Sequence, residues 1–425
     1  MPIATLHPIR AAATALAATA VLAGPAAAAS TVAPGPGGTA YFTWAQAGTS
    51  GFQVQERPLA ADGSLGPAQA VSWSLRSSYA DTIGSDAAGN AVLAWSDVTS
   101  GDAVMYARRR LADGTLTPVQ RISPDGVETE DRVLAVAPDG DAFLAWTRDL
   151  AGKQVLQGRR RAADGTLGPV LDLSAPGADA LDPRAAVAPD GAATVVWEQP
   201  VTYGRVLQAR RVAADGSLSG VRRLSPAIGT VHDPSVTVRD TGTAVVAWMR
   251  LNGGTAVVES RSRRADGTLG SLQTISPEGT APSQPATATN AGGRVAYTWH
   301  DGNGPTQGVM GRIRQPNGAL GPAFTVEAGQ AVTPRVALDP EGHATFAWVK
   351  TGSTPTLRTR RRTVTGTLAP IHTVSDPSAG NAQLPSLAVD AGGKATFAWY
   401  VAQGKWFVRT ARPDGTMTPI AQANG

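Results

Sequence analysis

Ala137–Trp146 reads APDGDAFLAW, and its second half decides the fold. A strand with one wet face alternates apolar and polar residues, because successive side chains point to opposite sides. Phe143, Leu144, Ala145 and Trp146 do not alternate, so this strand must be covered on both faces. Pro138-Asp139-Gly140 just before it is a turn signal, with Gly supplying positive φ. The stretch returns as AVLAW at 91–95, ATVVW at 193–197, AVVAW at 244–248, RVAYTW at 294–299, and ATFAW at 344–348 and 395–399.

Tryptophan measures the period. Trp44, Trp95, Trp146, Trp197, Trp248, Trp299, Trp348 and Trp399 stand 51 residues apart, except one interval of 49. Only Trp73 and Trp406 fall off the grid. A second motif keeps the same step: ADGTLGPVLDLS at Ala163–Ser174, with near copies beginning at Ala61, Ala112, Ala214 and Ala265. Its turn continues as Asn317, Thr365 and Asp414, so eight units of about 50 residues fill residues 30–425.

Each unit divides into four short strands. In the third they are Arg132–Ala137, Ala142–Trp146, Gln154–Arg160 and Pro169–Leu173. The second is apolar on both faces and the third and fourth are more polar, which places the latter toward an outer rim. Sheets packed face to face around a ring satisfy this pattern, and a ring needs no end caps. The expectation is an all-β chain: one eight-bladed β-propeller domain of four-stranded antiparallel blades. A seven-bladed propeller with an extension is the runner-up. Unit one is irregular; its first strand is confined to Thr31–Pro34.

Ala137–Asp149, APDGDAFLAWTRD, resembles the PDG-x-x-x-x-A-W core of TolB-type, WD40-like propeller repeats of secreted bacterial proteins. The resemblance covers the first two strands of each unit. It implies a fold and no assigned chemistry. The double Gly of kelch repeats and the sialidase Asp-box are absent.

Residues 1–29 read as an export signal: Arg10, an Ala-rich apolar run over 11–22, then Ala27-Ala28-Ala29 before Ser30. A secreted, extracellular protein is expected, with no membrane span after the signal and no lipid-bearing Cys. Cys is absent altogether, which excludes disulfides and thiolate metal sites. Of 37 basic residues four are Lys, leaving 33 Arg, a bias expected of a high-GC bacterial genome. The net charge of +4 is too small to imply nucleic acid. Arg runs on the third strands (Arg108–Arg110, Arg159–Arg161, Arg360–Arg362) suit a basic belt or, the favoured reading, a solvated outer rim. No cofactor is implied, and a monomer is expected.

The repeated Asp of ADG is read as scaffold, because units six and seven replace it while Gly persists in all eight. The grid Trps are read as packing between blades, and Trp73 and Trp406 as outer-rim packing. Function is sought where units differ. The loops after each grid Trp vary (SDVTSGDA, TRDLAGKQ, EQPVTYGR, MRLNGGTA, HDGNGPTQ), as do the crossings between units. In a propeller both emerge around one mouth of the central channel. Asp131, Asp182 and Asp233 stand fifteen residues before a grid Trp, beside Glu130, Arg184 and His232, with Gln284 at the same place in unit six. These seven are the candidate ligand-binding residues. The competing view is that each Asp caps its own strand start. No G-x-S-x-G or HExxH is present, so no catalytic or metal residue is assigned. The leading expectation is a non-catalytic propeller binding a glycan or a surface protein through its variable face. A polysaccharide hydrolase or lyase with carboxylates at the channel mouth, and a structural envelope protein, are the alternatives.

Overall fold

The computed structural model describes residues 32–48, 51–73, 77–99, 102–124, 129–302 and 307–424. The expected signal, residues 1–29, lies outside them. Among the described residues there is no α-helix and no helix long and apolar enough to cross a membrane.

The strands form eight four-stranded antiparallel blades, each ordered first to fourth from one edge to the other. Blades 4 and 5 are also joined by one parallel pair, Arg205 with Thr230. The first strands are Val32–Pro34, Ser77–Ser85, Thr129–Val136, Leu181–Val187, Thr230–Val238, Pro282–Thr289, Ala331–Leu338 and Gln383–Val389. Each touches the first strand of the next blade, and Val32–Pro34 touches Gln383–Val389, so they line a closed central channel. The chain is an eight-bladed β-propeller.

The all-apolar second strand does what its sequence demands. In blade 3, Leu144 and Trp146 pack on Val92, Met105 and Ile122 of blade 2. Phe143 and Ala145 face the other way, onto Val195 and Trp197 of blade 4. All eight grid Trps are fully buried. Trp406 is buried too, against Phe42 at a centroid separation of 6.1 Å, and so belongs to the seam between blades 8 and 1 instead of the rim. Trp73 stays 39% exposed, edge-on to Tyr106 at 5.0 Å.

The ADG Asp is scaffold. Asp164 Oδ1 accepts from the Thr166 backbone N–H at 2.8 Å, and Asp62, Asp113, Asp215, Asp266 and Asp414 accept in the same way. The Gly after it has positive φ in every unit, 96° at Gly165. The closing Ser of the motif is structural as well. Ser174 Oγ accepts from Leu156 N at 3.0 Å, tying the short fourth strand to the third.

The Arg runs form neither a belt nor a solvated rim. Arg159 Nε donates to Gly168 O of its own blade at 2.6 Å, while Nη1 donates to Ile122 O of the preceding blade at 3.2 Å. Arg108, Arg210, Arg261, Arg312, Arg360 and Arg409 repeat both bonds. Arg57 completes the set across the closing seam, with Gly66 O at 2.6 Å and Ala423 O at 2.9 Å. One guanidinium per blade thus stitches that blade to its predecessor through fixed, directional donors.

Blade 1 has all four strands, the first only three residues long. Elsewhere the first strand starts earlier than its sequence suggests: in blade 3 at Thr129, not Arg132.

Candidate binding site at the channel mouth

The earlier start has a cause. Between Val133 and Glu130, which pair with Ala145 and Thr147, two residues of the first strand oppose Trp146 alone. This β-bulge recurs opposite the grid Trp in blades 2 to 8. In six of them the bulged residue is non-Gly with positive φ: Asp131 41°, Asp182 48°, Asp233 54°, Gln284 51°, Thr333 53° and Leu384 48°. Such a conformation costs an L-residue roughly 1 kcal/mol, least for Asp and Asn. The next residue in blades 4 to 8 is a buried Pro: Pro183, Pro234, Pro285, Pro334 and Pro385.

The candidate Asp residues therefore do not cap strand starts; they sit inside the first strands, on the channel. Nor does each serve its own turn. Asp233 Oδ2 accepts from the Gln284 backbone N–H at 3.2 Å, and Gln284 Oε1 accepts from the Thr333 N–H at 3.0 Å. Both of these bulge side chains reach the bulge of the next blade, which orders the rim of the mouth.

Asp131, Asp182 and Asp233 come from three successive blades, and the middle one feels the other two. Burial raises the Asp182 pKa, Arg184 opposes that, and the Asp131 and Asp233 carboxylates raise it further. Arg184 Nη1 lies 2.7 Å from Asp182 Oδ1. Arg335, two residues beyond the blade 7 bulge residue, is pushed down by desolvation and by Arg184. His232 is pushed down by burial and by Arg205, against the pull of Asp233 and Asp182. Glu130 is exposed beside Asp131. All seven candidates thus lie on the first strands of blades 3 to 6. The electrostatic couplings join Asp131, Asp182, Arg184, His232 and Asp233; Gln284 joins through its bond to Asp233.

Two further members were not singled out from sequence. Glu198 directly follows Trp197, is almost wholly buried, and accepts from Arg205 Nη1 at 2.7 Å. Its carboxyl is pushed up to about 7, chiefly by burial, with Asp182 and Asp233 adding and Arg205 opposing. The signal was present: the residue after the grid Trp is Ser96, Thr147, Met249, His300, Val349 or Tyr400 in blades 2, 3 and 5 to 8, and acidic in blade 4 alone. Beside this cluster, Tyr203, Ile228, Thr230, Leu251 and Asn252 line an open cleft of about 570 Å³ between the loops of blades 4 and 5. Tyr203 is 90% exposed.

At the opposite mouth Asp339, Glu341 and His343 come together. Arg361 Nη2 already bonds Asp339 Oδ2 at 2.7 Å and lies 2.5 Å from His343 Nδ1, so a guanidinium stands where a cation would.

No protein-family model matches the chain, and no curated protein matches its sequence. Solved structures resemble it at low identity. An alpha-L-arabinanase of Penicillium chrysogenum complexed with arabinobiose is 12% identical over 67% of this chain and 93% of its own, with a TM-score of 0.44. An alpha-L-arabinofuranosidase of Fusarium graminearum in complex with arabinobiose is 11% identical over 70% of this chain and 94% of its own, at 0.45. Prolyl oligopeptidase B of Galerina marginata is 10% identical over 90% of this chain, which spans 55% of that enzyme, at 0.49.

Proposed function

We propose that this propeller is an exported, non-catalytic binding protein that takes a glycan at the channel mouth formed by blades 3 to 6. The observation that carries the reading is the coupled cluster of Asp131, Asp182, Asp233, Arg184, Arg205 and His232 on adjoining strands. A sugar hydroxyl donates to a carboxylate and accepts from a guanidinium, so alternating acids and bases suit a polyhydroxylated ligand. Varied loops on a rigid frame are where binding groups collect. The exposed ring of Tyr203, flanked by Ile228 and Leu251, offers an apolar surface for a sugar face beside those polar groups. Surface proteins, the other partner class expected, would find the same face.

A glycan array on the chain beginning at Ser30 tests this, followed by calorimetry on the best hit. Asp182→Asn and Asp233→Asn should weaken binding about 10- to 100-fold, the worth of one charged hydrogen bond, with melting temperature unchanged. Binding that is indifferent to both substitutions, or no glycan bound, overturns the reading. Export is tested by sequencing the N-terminus of protein secreted by an expressing bacterium, which should start at Ser30.

Glu198 favours a second reading. A carboxyl pushed up to about 7, close enough to feel the Asp182 and Asp233 carboxyl groups, is of the kind that acid–base cleavage of a glycosidic bond uses. Polysaccharide turnover by the wild type that disappears in Glu198→Gln would select it; no turnover on any tested polysaccharide would remove it.

A further inference from the structure

The end of the ring away from the loops carries a corner of reversed sign. In blades 2, 3, 4 and 7 an Arg of the third strand meets a carboxylate of its own blade's first turn. The pairs are Arg109 with Asp86, Arg160 with Asp141, Arg211 with Asp190 at 2.8 Å, and Arg361 with Asp339 at 2.7 Å. Blades 1, 6 and 8 carry Pro58, Ile313 and Thr410 in the place of that Arg, and blade 5 goes further. It has Ser262 in the place of Arg109, and Arg239 in the place of Asp86.

The neighbouring blade deepens the contrast. At the seam of blades 1 and 2, Arg110 Nε donates to Glu56 Oε1 at 3.0 Å, and its guanidinium lies 4.4 Å from the centre of the Tyr41 ring. Four steps of 51 residues along the chain, Arg314 takes the place of Arg110, Ser260 that of Glu56, and Arg239 that of Gly35. The seam of blades 5 and 6 has therefore lost a carboxylate and gained a guanidinium. Arg239 and Arg314 both act on the hydroxyl of buried Tyr297, which bonds Ser260 Oγ at 3.1 Å. Arg239 senses Arg314 and Tyr297 but no carboxylate.

Arg239 Nε and Nη2 are both buried, with no hydrogen-bond partner among the described residues. These two atoms form the edge of a guanidinium that grips a planar or tetrahedral oxyanion through two parallel bonds. Two unsatisfied buried donors on a cation are costly unless something accepts from them.

We propose that Arg239 and Arg314 form a binding site for a compact oxyanion (sulfate, phosphate or a carboxylate group) between blades 5 and 6, on the face opposite the channel mouth. The ligand supplies the negative charge that Glu56 supplies internally at the seam of blades 1 and 2. Entry requires a swing of the Arg239 side chain, whose far end lies 3.9 Å from the position a Cβ would take at Gly293.

Calorimetric titration with sodium sulfate and sodium phosphate, against sodium chloride at equal ionic strength, tests the proposal. The wild type should bind sulfate or phosphate saturably and melt higher in its presence, with no matching response to chloride. Arg239→Gln should weaken that binding about tenfold or more, the loss of a bidentate charged contact. Ser260→Glu restores an internal partner for Arg314; it should melt higher than wild type in plain buffer and lose the sulfate response. If Arg239→Gln fails to fold, the Ser260→Glu result decides alone. A uronate oligosaccharide as a third titrant separates a free ion from a group carried on a polymer: the site predicts that either binds and that Arg239→Gln weakens both. A wild-type response no larger than that to chloride, or sulfate binding that survives in the folded variants, overturns the proposal.

Discussion

The two ends of the ring are built from the same strands and differ in what is repeated. At the turn end the units copy one another: an Asx bond at the turn in seven of the eight, and in all eight a Gly with positive φ and, on the third strand above it, an Arg stitch to the preceding blade. At the loop end the backbone and, in blades 4 to 8, a buried Pro repeat, and the side chains on the channel do not. The bulge opposite the grid Trp is constant from blade 2 to blade 8, while its side chain changes from Asp to Gln to Thr to Leu. A propeller can hold its frame at one end and vary chemistry at the other because the sheet fixes the position of the bulge and leaves the side chain undetermined.

Substitutions can break or sharpen that contrast. The largest effect belongs to the shared frame. Trp146→Ala should lower stability by about 3–5 kcal/mol in denaturant unfolding, since a fully buried indole leaves a cavity between blades 2 and 3. Next comes the stitch: Arg159→Met keeps the stem and strands two carbonyls, costing about 1–3 kcal/mol. If Arg159→Met proved neutral, the seams would be held by apolar packing alone. At the loop end the sign should invert. Leu384 is exposed in the left-handed region, so Leu384→Asn should raise stability by up to about 1 kcal/mol. A loss there would mean that the Leu side chain does something its exposure conceals.

The last effect is a slope with pH. Glu198 has a folded pKa near 7, above its ordinary value of 4.5, so the folded state holds its proton more tightly than the unfolded chain does. Its contribution is therefore complete below pH 4.5 and fades as pH rises toward 7. Wild type should lose stability relative to Glu198→Gln across that window and run parallel to it above. A difference independent of pH would mean that Arg205 keeps Glu198 ionised throughout.

The frame was legible in the sequence because burial leaves a mark at every repeat: an apolar strand without alternation, a Trp at its end, an Asp-Gly turn. Residues that work only once leave no such mark. Asp182 before Pro183 reads as a turn, and nothing local tells a turn from a bulge inside a strand, since the difference is set by pairing with Glu198 and Val196 on the neighbouring strand. Glu198 was hidden in a loop read as variable; what makes it unusual is burial, which no linear pattern records. Charge alone suggests solvent for the Arg runs, whereas the hydrogen bonds of one Arg per blade run to backbone carbonyls of its own blade and of the blade before.

The stitch from Arg57 to Ala423 spans 366 residues. Loop closure on that scale is slow, and the ring cannot lock until both of its outermost blades exist. Until the eighth blade is in place, the earlier blades are an open arc with one uncovered flank at each end; closing that one seam is what turns the arc into a rigid disc.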